Sequence, residues 1–272
     1  MSRYAVIGYP VSHSKSPRIH RMFAAQTGEA LEYSAIEVAP EELSNFVDDF
    51  FSQGGAGLNV TLPHKEAVFA LAQSLTERAE RAGAANTLFL DANGRLCGDN
   101  TDGVGLLRDL KNNHRLTLTK KNILLLGAGG AIRGIIAALA TEDPASMTIA
   151  NRTLARAVNL QQQFGELLPI EISDYAALQS RDFDFIINGT SLGVHGEVPP
   201  LKPDLIGPDC CCYDLMYADR ETAFVSWAKA QGAKQAIDGL GMLVEQAAES
   251  FFVWRGIRPD TSPVINQLRT TA

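Results

Sequence analysis

Cysteine is scarce: four residues in a chain of 272, namely Cys97 and the run Cys210-Cys211-Cys212. That is too few, and too unevenly placed, for a disulfide framework in a chain of this length. Neighbouring strand residues face opposite ways, so the triplet is a poor tetrahedral metal site and reads as small buried strand residues. The five histidines have no metal-ligand spacing, and no metal is expected. Positive charge is also in the minority, with 24 Lys and Arg against 31 Asp and Glu, a net charge of −7. Nucleic acid and acidic membrane surfaces are poor partners for such a chain. Any anionic ligand must be met by local cations and backbone N–H groups. Long uncharged apolar runs are missing, so no membrane helix is expected. No signal-peptide pattern precedes Arg3, and a cytoplasmic protein is expected. Repeats and low-complexity segments are absent too. What is present is a globular composition, 46% hydrophobic and 20% charged, long enough for one large or two ordinary domains.

Strand-like runs alternate with amphipathic stretches, the pattern of an α/β protein with mainly parallel sheets. Tyr4 to Gly8 reads as a strand. A helix follows with Ser16 at the N-cap, Pro17 at its first position and Gly28 past its end. Further strands are expected at Leu31 to Val38 and Gly57 to Leu62, with helices at Pro40 to Gln53 and from about Glu66. Thr87 to Leu90 and Arg95 to Gly98 flank Asn93-Gly94, a strong hairpin signal. From Asn122 the pattern changes. Ile123-Leu124-Leu125-Leu126 is a continuous apolar run, as expected of a central parallel strand covered on both faces. A Gly-rich turn, a helix Ala131 to Ala140 and strands at Met147 to Ala150, Phe183 to Asn188 and Cys210 to Leu215 follow. A long helix, Leu240 to Arg255, comes near the end. Domain crossings are drawn near Gly103 and Gly239.

Gly127-Ala128-Gly129-Gly130-Ala131 directly follows the apolar strand and precedes a helix, the setting of a dinucleotide-binding turn. Glycine lets the backbone approach a pyrophosphate, and the helix N-terminus offers it unpaired N–H groups. The strict fingerprint wants Gly or Ala where this chain has Ile132. Asn151-Arg152-Thr153 lies at the end of the next strand, where NAD-binding proteins place an acidic residue on the ribose. Asn151 removes that charge, while Arg152 and Arg156 offer guanidinium groups suited to a 2′-phosphate. NADP is therefore preferred over NAD. The bland alternative is an ordinary helix start with solvated arginines.

The remaining motifs are Ser12-His13-Ser14-Lys15-Ser16-Pro17, Asn59-Val60-Thr61-Leu62-Pro63-His64-Lys65, Gly83-Ala84-Ala85-Asn86-Thr87 and Gly98-Asp99-Asn100-Thr101-Asp102-Gly103. Tyr213-Asp214-Leu215-Met216-Tyr217 and Asp238-Gly239-Leu240-Gly241-Met242 come later. In this order, from about Tyr4 to Leu268, they resemble the shikimate dehydrogenase family. Any one motif is weak; the ordered set is specific. The resemblance implies a substrate domain of residues 1–102 completed by 240–272, an inserted Rossmann NADP domain of residues 103–239, and catalysis in the cleft between them. The expected reaction is the reversible, NADPH-dependent reduction of 3-dehydroshikimate to shikimate, a step towards aromatic amino acids. Gly189 stands where an alanine is expected.

The same resemblance assigns residue roles. Ser14, Ser16 and Tyr217 would meet the substrate carboxylate. Thr61, Lys65, Asn86, Asp102 and Gln246 would meet its hydroxyls. Leu215, Gly239 and Met242 would lie near the nicotinamide, Thr190 and Ser191 in a cofactor-side loop, and Glu77 in a weaker cofactor role. Lys65 is the candidate acid/base, because ketone reduction builds negative charge on an oxygen that an ammonium stabilises and protonates. Asp102 would hold Lys65, bind a hydroxyl, or do both. Without the family, Lys65 and Asp102 are ordinary helix-start charges, and Asn86 and Gln246 ordinary amides. Competing readings are a quinate/shikimate dehydrogenase using NAD as well as NADP, and a non-catalytic NADP-binding sensor. The oligomeric state stays open, a homodimer being one option.

Overall fold

The first strand is buried on both faces, and the direction of its successive side chains decides what covers each face of the first sheet. The computed structural model describes residues 1–178 and 183–270. In β1 (Ser2–Gly8), Ala5 and Ile7 point to one side with Leu58, Val60 and Leu88, packed on Leu43, Val47 and Phe50. Tyr4 and Val6 point to the other side with Tyr33, against Trp254. That period of two makes a strand sandwiched between helical layers.

In chain order the first part of the molecule contains α1 (Ser16–Thr27), β2 (Leu31–Glu37), α2 (Leu43–Ser52), β3 (Gly55–Val60) and α3 (Lys65–Leu71). β4 (Ser74–Leu75), α4 (Glu77–Ala82), β5 (Thr87–Leu90), β6 (Leu96–Asp99) and α5 (Asp102–Arg108) follow. The strands form a six-stranded mixed sheet in the order β2-β1-β3-β5-β6-β4. β1 runs parallel to β2 and β3, and β4 parallel to β6, whereas β5 is antiparallel to β3 and β6.

The second sheet contains β7 (Asn122–Leu126), β8 (Ser146–Ala150), β9 (Ile170–Ser173), β10 (Phe183–Asn188), β11 (Ile206–Asp214) and β12 (Gln235–Ile237). Between them lie α6 (Gly130–Ala140), α7 (Leu154–Phe164) and α8 (Ala223–Ala230). Its order is β12-β11-β10-β7-β8-β9 and all its pairings are parallel, a Rossmann-type sheet. Ile123 to Leu126 are fully buried, as the apolar run requires. The cysteine triplet lies in β11, buried, with free thiols. α9 (Leu240–Arg255) and α10 (Ser262–Thr270) end the chain.

Two compact units result: residues 1–106 with 243–270, and residues 107–242. Both crossings fall inside helices, α5 and α9, slightly beyond Gly103 and Gly239. Among the described residues no helix is long and apolar enough to cross a membrane, and no group of His, Cys, Asp or Glu is arranged to hold a metal.

One helix start differs from expectation. Ser16 is the first residue of α1 rather than its N-cap; Lys15 holds that position and makes no side-chain capping bond. The Ser14 hydroxyl instead accepts from the Ser16 N–H at 3.2 Å, so a serine still serves the exposed donor, from two residues upstream. The helix expected from Pro40 begins as a single 3₁₀ turn, Pro40–Glu42, before α2. β4 has no counterpart in the strands expected from the pattern, because it is too short to show a period, whereas α4 opens at Glu77, a glutamate that also reads as a helix entry.

Candidate functional site

In the first unit β3 ends at Val60, and the chain turns through Thr61 to His64 before α3 opens with Lys65. The Thr61 N–H donates to Ile7 O at 2.9 Å, and the His64 ring pairs with Val38 O at 2.8 Å. The loop is therefore pinned at both ends, and Lys65 starts from a fixed point. Its ammonium meets Asp102 Oδ2 at 2.5 Å. The two side chains are only 16% and 9% exposed, so water screens this pair far less than a surface one. Asp102 Oδ1 accepts from the Asn86 amide at 2.8 Å. Asn86 is buried and also donates to Thr101 Oγ1 at 3.0 Å. Gln246 on α9 reaches the same amide with its Oε1 at 3.5 Å. Lys65, Asp102, Asn86 and Gln246 thus come together.

Behind them lies a polar layer that sequence reading missed. Asn59 Nδ2 donates to Thr87 Oγ1 at 3.2 Å and to Ser250 Oγ at 3.0 Å, and its Oδ1 accepts from the Tyr33 hydroxyl at 2.7 Å. Thr87 and Thr101 both donate to Asn86 Oδ1, at 2.9 and 3.1 Å. A buried network is stabilising only when its members are satisfied, and this one is closely knit. Its partners lie far apart in sequence, so no local spacing shows it; the cue was only a cluster of Asn and Thr inside otherwise apolar strands.

Ser14 and Ser16 sit together at the start of α1, with Ser16 buried. Glu77 does not join the cluster. It is exposed on α4 and accepts from Arg81 one turn along, which accounts for it without any ligand.

In the second unit the Gly-rich turn follows β7 where the strand order reverses between β7 and β10, the place where such sheets bind ligands. Gly127 has φ +102°, a value that residues with a side chain rarely adopt, and a Cβ there would lie 3.2 Å from Gly189 O. Ala128 and Gly129 lead into α6, which starts at Gly130-Ala131. Gly129, its N-cap, supplies no side chain, so the first N–H groups of the helix face outward uncapped. This is a cradle of the kind a pyrophosphate needs.

The two departures from the family pattern meet here. A Cβ on Gly189 would lie 2.6 Å from Ile132 Cδ1, so the larger residue on α6 occupies the space the smaller one vacates.

After β8, the Asn151 amide folds back to Thr153 O at 2.8 Å, and Arg152 and Arg156 stand exposed on the same turn and the start of α7. The loops after β10 and β11 are tied together. Asn188 Nδ2 donates to Asp214 Oδ1 at 3.0 Å, while Asn188 Oδ1 accepts from the Thr190 hydroxyl at 2.8 Å. Asp214 also accepts from Met216 N and the Thr222 hydroxyl. Burial raises the Asp214 carboxyl above its ordinary range. Gly239 packs on Leu215 O, where a Cβ would come within 2.4 Å, and Met242 is buried at the start of α9. Ser191 is exposed at the head of a 3₁₀ turn. Tyr217 belongs to this unit, not to that of Ser14 and Ser16. Burial first, and Asp219 second, raise its phenol above the ordinary value, so it is a neutral O–H group at neutral pH.

Known proteins match both units in this order. Residues 6–88 match the shikimate dehydrogenase substrate binding domain, residues 109–193 the shikimate/quinate 5-dehydrogenase family, and residues 239–269 the shikimate 5′-dehydrogenase C-terminal domain. The shikimate dehydrogenase (NADP(+)) of Alkalilimnicola ehrlichii is 54% identical over 267 residues, covering 98% of each chain. That of Marinobacter nauticus is 54% identical over 269 residues, again 98% of each. The chain belongs to the NADP-dependent shikimate dehydrogenase family. It therefore falls in an oxidoreductase family whose fold is the pair of six-stranded sheets described above. The crystal structure of shikimate 5-dehydrogenase from Thermus thermophilus, in complex with NADP(H) and shikimate, is 34% identical and superposes with a TM-score of 0.89 over the whole of both chains. Another shikimate dehydrogenase structure, in complex with NADP+, is 32% identical with a TM-score of 0.91, covering 100% of this chain and 96% of that one.

Proposed function

We propose that this chain catalyses the reversible, NADPH-dependent reduction of 3-dehydroshikimate to shikimate, with Lys65 as the acid/base group and Asp102 as its partner. The observation that carries this reading is the part-buried Lys65–Asp102 pair, locked from behind by Asn86. When bound, NADPH supplies the hydride. Lys65 stabilises the charge that builds on the substrate oxygen and delivers the proton to it. In the reverse direction Lys65 takes that proton back. Asp102 keeps lone pairs for a ring hydroxyl, and Asn86, whose amide groups are all engaged, would exchange one of its present contacts for another; Thr61 and Gln246 belong to the same unit. Ser14 and Ser16, at the positive end of α1, suit a carboxylate, and Tyr217 adds a neutral hydroxyl.

On the cofactor side, residues 127–131 would hold the pyrophosphate and Arg152 and Arg156 the 2′-phosphate, with Asn151 and Thr153 shaping that turn. Thr190, Ser191, Leu215, Gly239 and Met242 would line the nicotinamide end. Residues 1–102 with 240–272 then serve as the substrate domain, and 103–239 as the cofactor domain. The same reading places the enzyme in the cytoplasm, in keeping with four unpaired thiols, and in aromatic amino-acid synthesis. The same reading takes a homodimer as the assembly, which the mass found in sedimentation equilibrium tests. The deciding assay follows NADPH absorbance with 3-dehydroshikimate, beside NADH and beside quinate in the reverse direction. Turnover with NADPH well above that with NADH is the expected result; equal use of both cofactors, or no turnover, overturns the reading.

A further inference from the structure

Asp102 is the first residue of α5, and the three residues before it are buried; two of them, Asp99 and Asn100, use side-chain groups to hold the backbone. Asn100 Oδ1 accepts from the Asp102 N–H at 3.1 Å, and Asn100 Nδ2 donates to Ala84 O at 2.9 Å. Asp99 Oδ1 accepts from the Asn100 N–H at 2.7 Å. The position of Asp102 is therefore inherited from Asp99, whose side chain is almost wholly buried. A buried carboxylate needs a counter-charge, and Arg78 on α4 supplies it. The guanidinium grips Asp99 with two parallel bonds, Nε to Oδ1 and Nη2 to Oδ2, both 2.6 Å. Its third nitrogen, Nη1, donates to Glu249 Oε1 at 2.7 Å. Glu249 lies on α9 one turn beyond Gln246, and Arg258 holds its other oxygen at 2.5 Å. One side chain thus ties the segment that carries Asp102 to the helix that carries Gln246.

We infer that Arg78 is a positioning residue for this reaction: its forked contact with Asp99 and Glu249 sets Asp102 and Gln246 against the substrate. The inference rests on Asp102 acting at the reacting centre, as proposed above. Only a planar guanidinium makes all three bonds at once; an ammonium keeps the charge but not the fork. Displacements well under 1 Å matter at such a site, since about 1 Å of misplacement costs up to about a hundredfold in rate.

The test is a double-mutant cycle on kcat/KM for 3-dehydroshikimate. Arg78→Lys keeps the buried carboxylates compensated, so the variant should fold, which a thermal melt checks. It should lose about tenfold in kcat/KM through both kcat and the substrate KM, with the KM for NADPH unchanged. In an Asp102→Asn background the same change should cost less than about twofold, because the group being positioned is already lost. In an Arg152→Ala background it should still cost the full factor. Glu249→Gln, which loosens the α9 side while keeping the shape, should show the same pattern more weakly. A purely structural clamp predicts losses that multiply equally in all backgrounds, or a lowered melting temperature with kcat/KM unchanged; either overturns the inference. A harmless Asp102→Asn change would instead overturn the assignment of Asp102 itself, a result distinct from failure of the Arg78 coupling.

Discussion

The two ligand-facing regions are built in opposite ways. In the first unit Lys65, Asp102 and Asn86 are part-buried or buried, and each has a side-chain partner at 2.5 to 2.8 Å before any ligand arrives. In the second unit the residues assigned to the phosphates are an uncapped helix start and two exposed arginines, with Asn151 folded onto its own turn. The contrast matches the work each is asked to do. A proton must be delivered at a defined point in a transition state, which rewards groups already in place. A phosphate needs only enough convergent positive charge, and flexible arginines can close on it.

If the contrast is right, the largest effect belongs to the pre-set group. Lys65→Ala should lower turnover by about 10²–10⁴-fold while the KM values for substrate and NADPH stay nearly unchanged. Asp102→Asn should impair both turnover and substrate affinity, and the two changes together should be less than additive. A large rise in KM with turnover preserved would make Lys65 an anchor, and near-wild-type kinetics would make it a surface lysine.

A smaller, selective effect belongs to the exposed side. A charge-assisted pair is worth about 1.5–3 kcal/mol, so Arg152→Ala should raise the KM for NADPH roughly tenfold or more. The KM for NADH, which lacks the 2′-phosphate, should barely move. Steady-state kinetics on both cofactors decides this; equal losses would mean that Arg152 does not read the phosphate.

Legibility in the sequence followed the same division. The centre of the Rossmann sheet was readable because its signals are local: an unbroken apolar run at residues 123–126, a Gly-rich turn directly after it and a helix from Ala131; the short edge strands β9 and β12 were not read. α9 came out with the bounds Leu240–Arg255 expected of it. The Lys65–Asp102 pair was visible only through the family resemblance, since a lysine and an aspartate at two helix starts, 37 residues apart, carry no local pattern. The polar layer of Asn59, Thr87, Thr101 and Ser250, and the Arg78–Asp99–Glu249 clamp, were missed as connections, although Asn59, Thr87, Asp99 and Thr101 stood in the quoted motifs. Their hydrogen bonds join residues from five separate elements and the turns between them, and sequence spacing reports neighbours along a strand or helix, not across a sheet. The Ser16 N-cap was misplaced because Ser14, two residues upstream, does the same chemical work.

The departures from the family pattern give the next test, on stability rather than turnover. Gly189→Ala would push a methyl to within 2.6 Å of Ile132, which is fully buried and has little room to turn. Such overpacking typically costs about 1–3 kcal/mol. Ile132→Val shortens the opposing side chain, so Gly189→Ala should cost clearly less in that background. Denaturant midpoints of the four proteins measure the coupling; strict additivity would mean that the two departures are unrelated. Because Gly189 also abuts the Gly127 turn, the single variant should raise the KM for NADPH as well.

The smallest effect is expected at Glu77, whose cofactor role rests on the resemblance alone. Its side chain is 76% exposed and its partner is Arg81 on the next turn of the same short helix. An exposed pair of this kind contributes about 0.3–0.5 kcal/mol, and salt screens it. Glu77→Ala should therefore shift the melting temperature only slightly, and less still at high salt. The KM for NADPH should stay within about twofold of the parent, since no more than about 0.4 kcal/mol is then at stake. The substitution also removes an acidic residue from the first turn of α4, where the helix dipole favours one, so any residual loss should appear in stability and not in kinetics. A severalfold rise in the KM for NADPH with the melt unchanged would restore Glu77 to the cofactor site, and would mean that an exposed, ion-paired carboxylate is recruited only when the ligand binds.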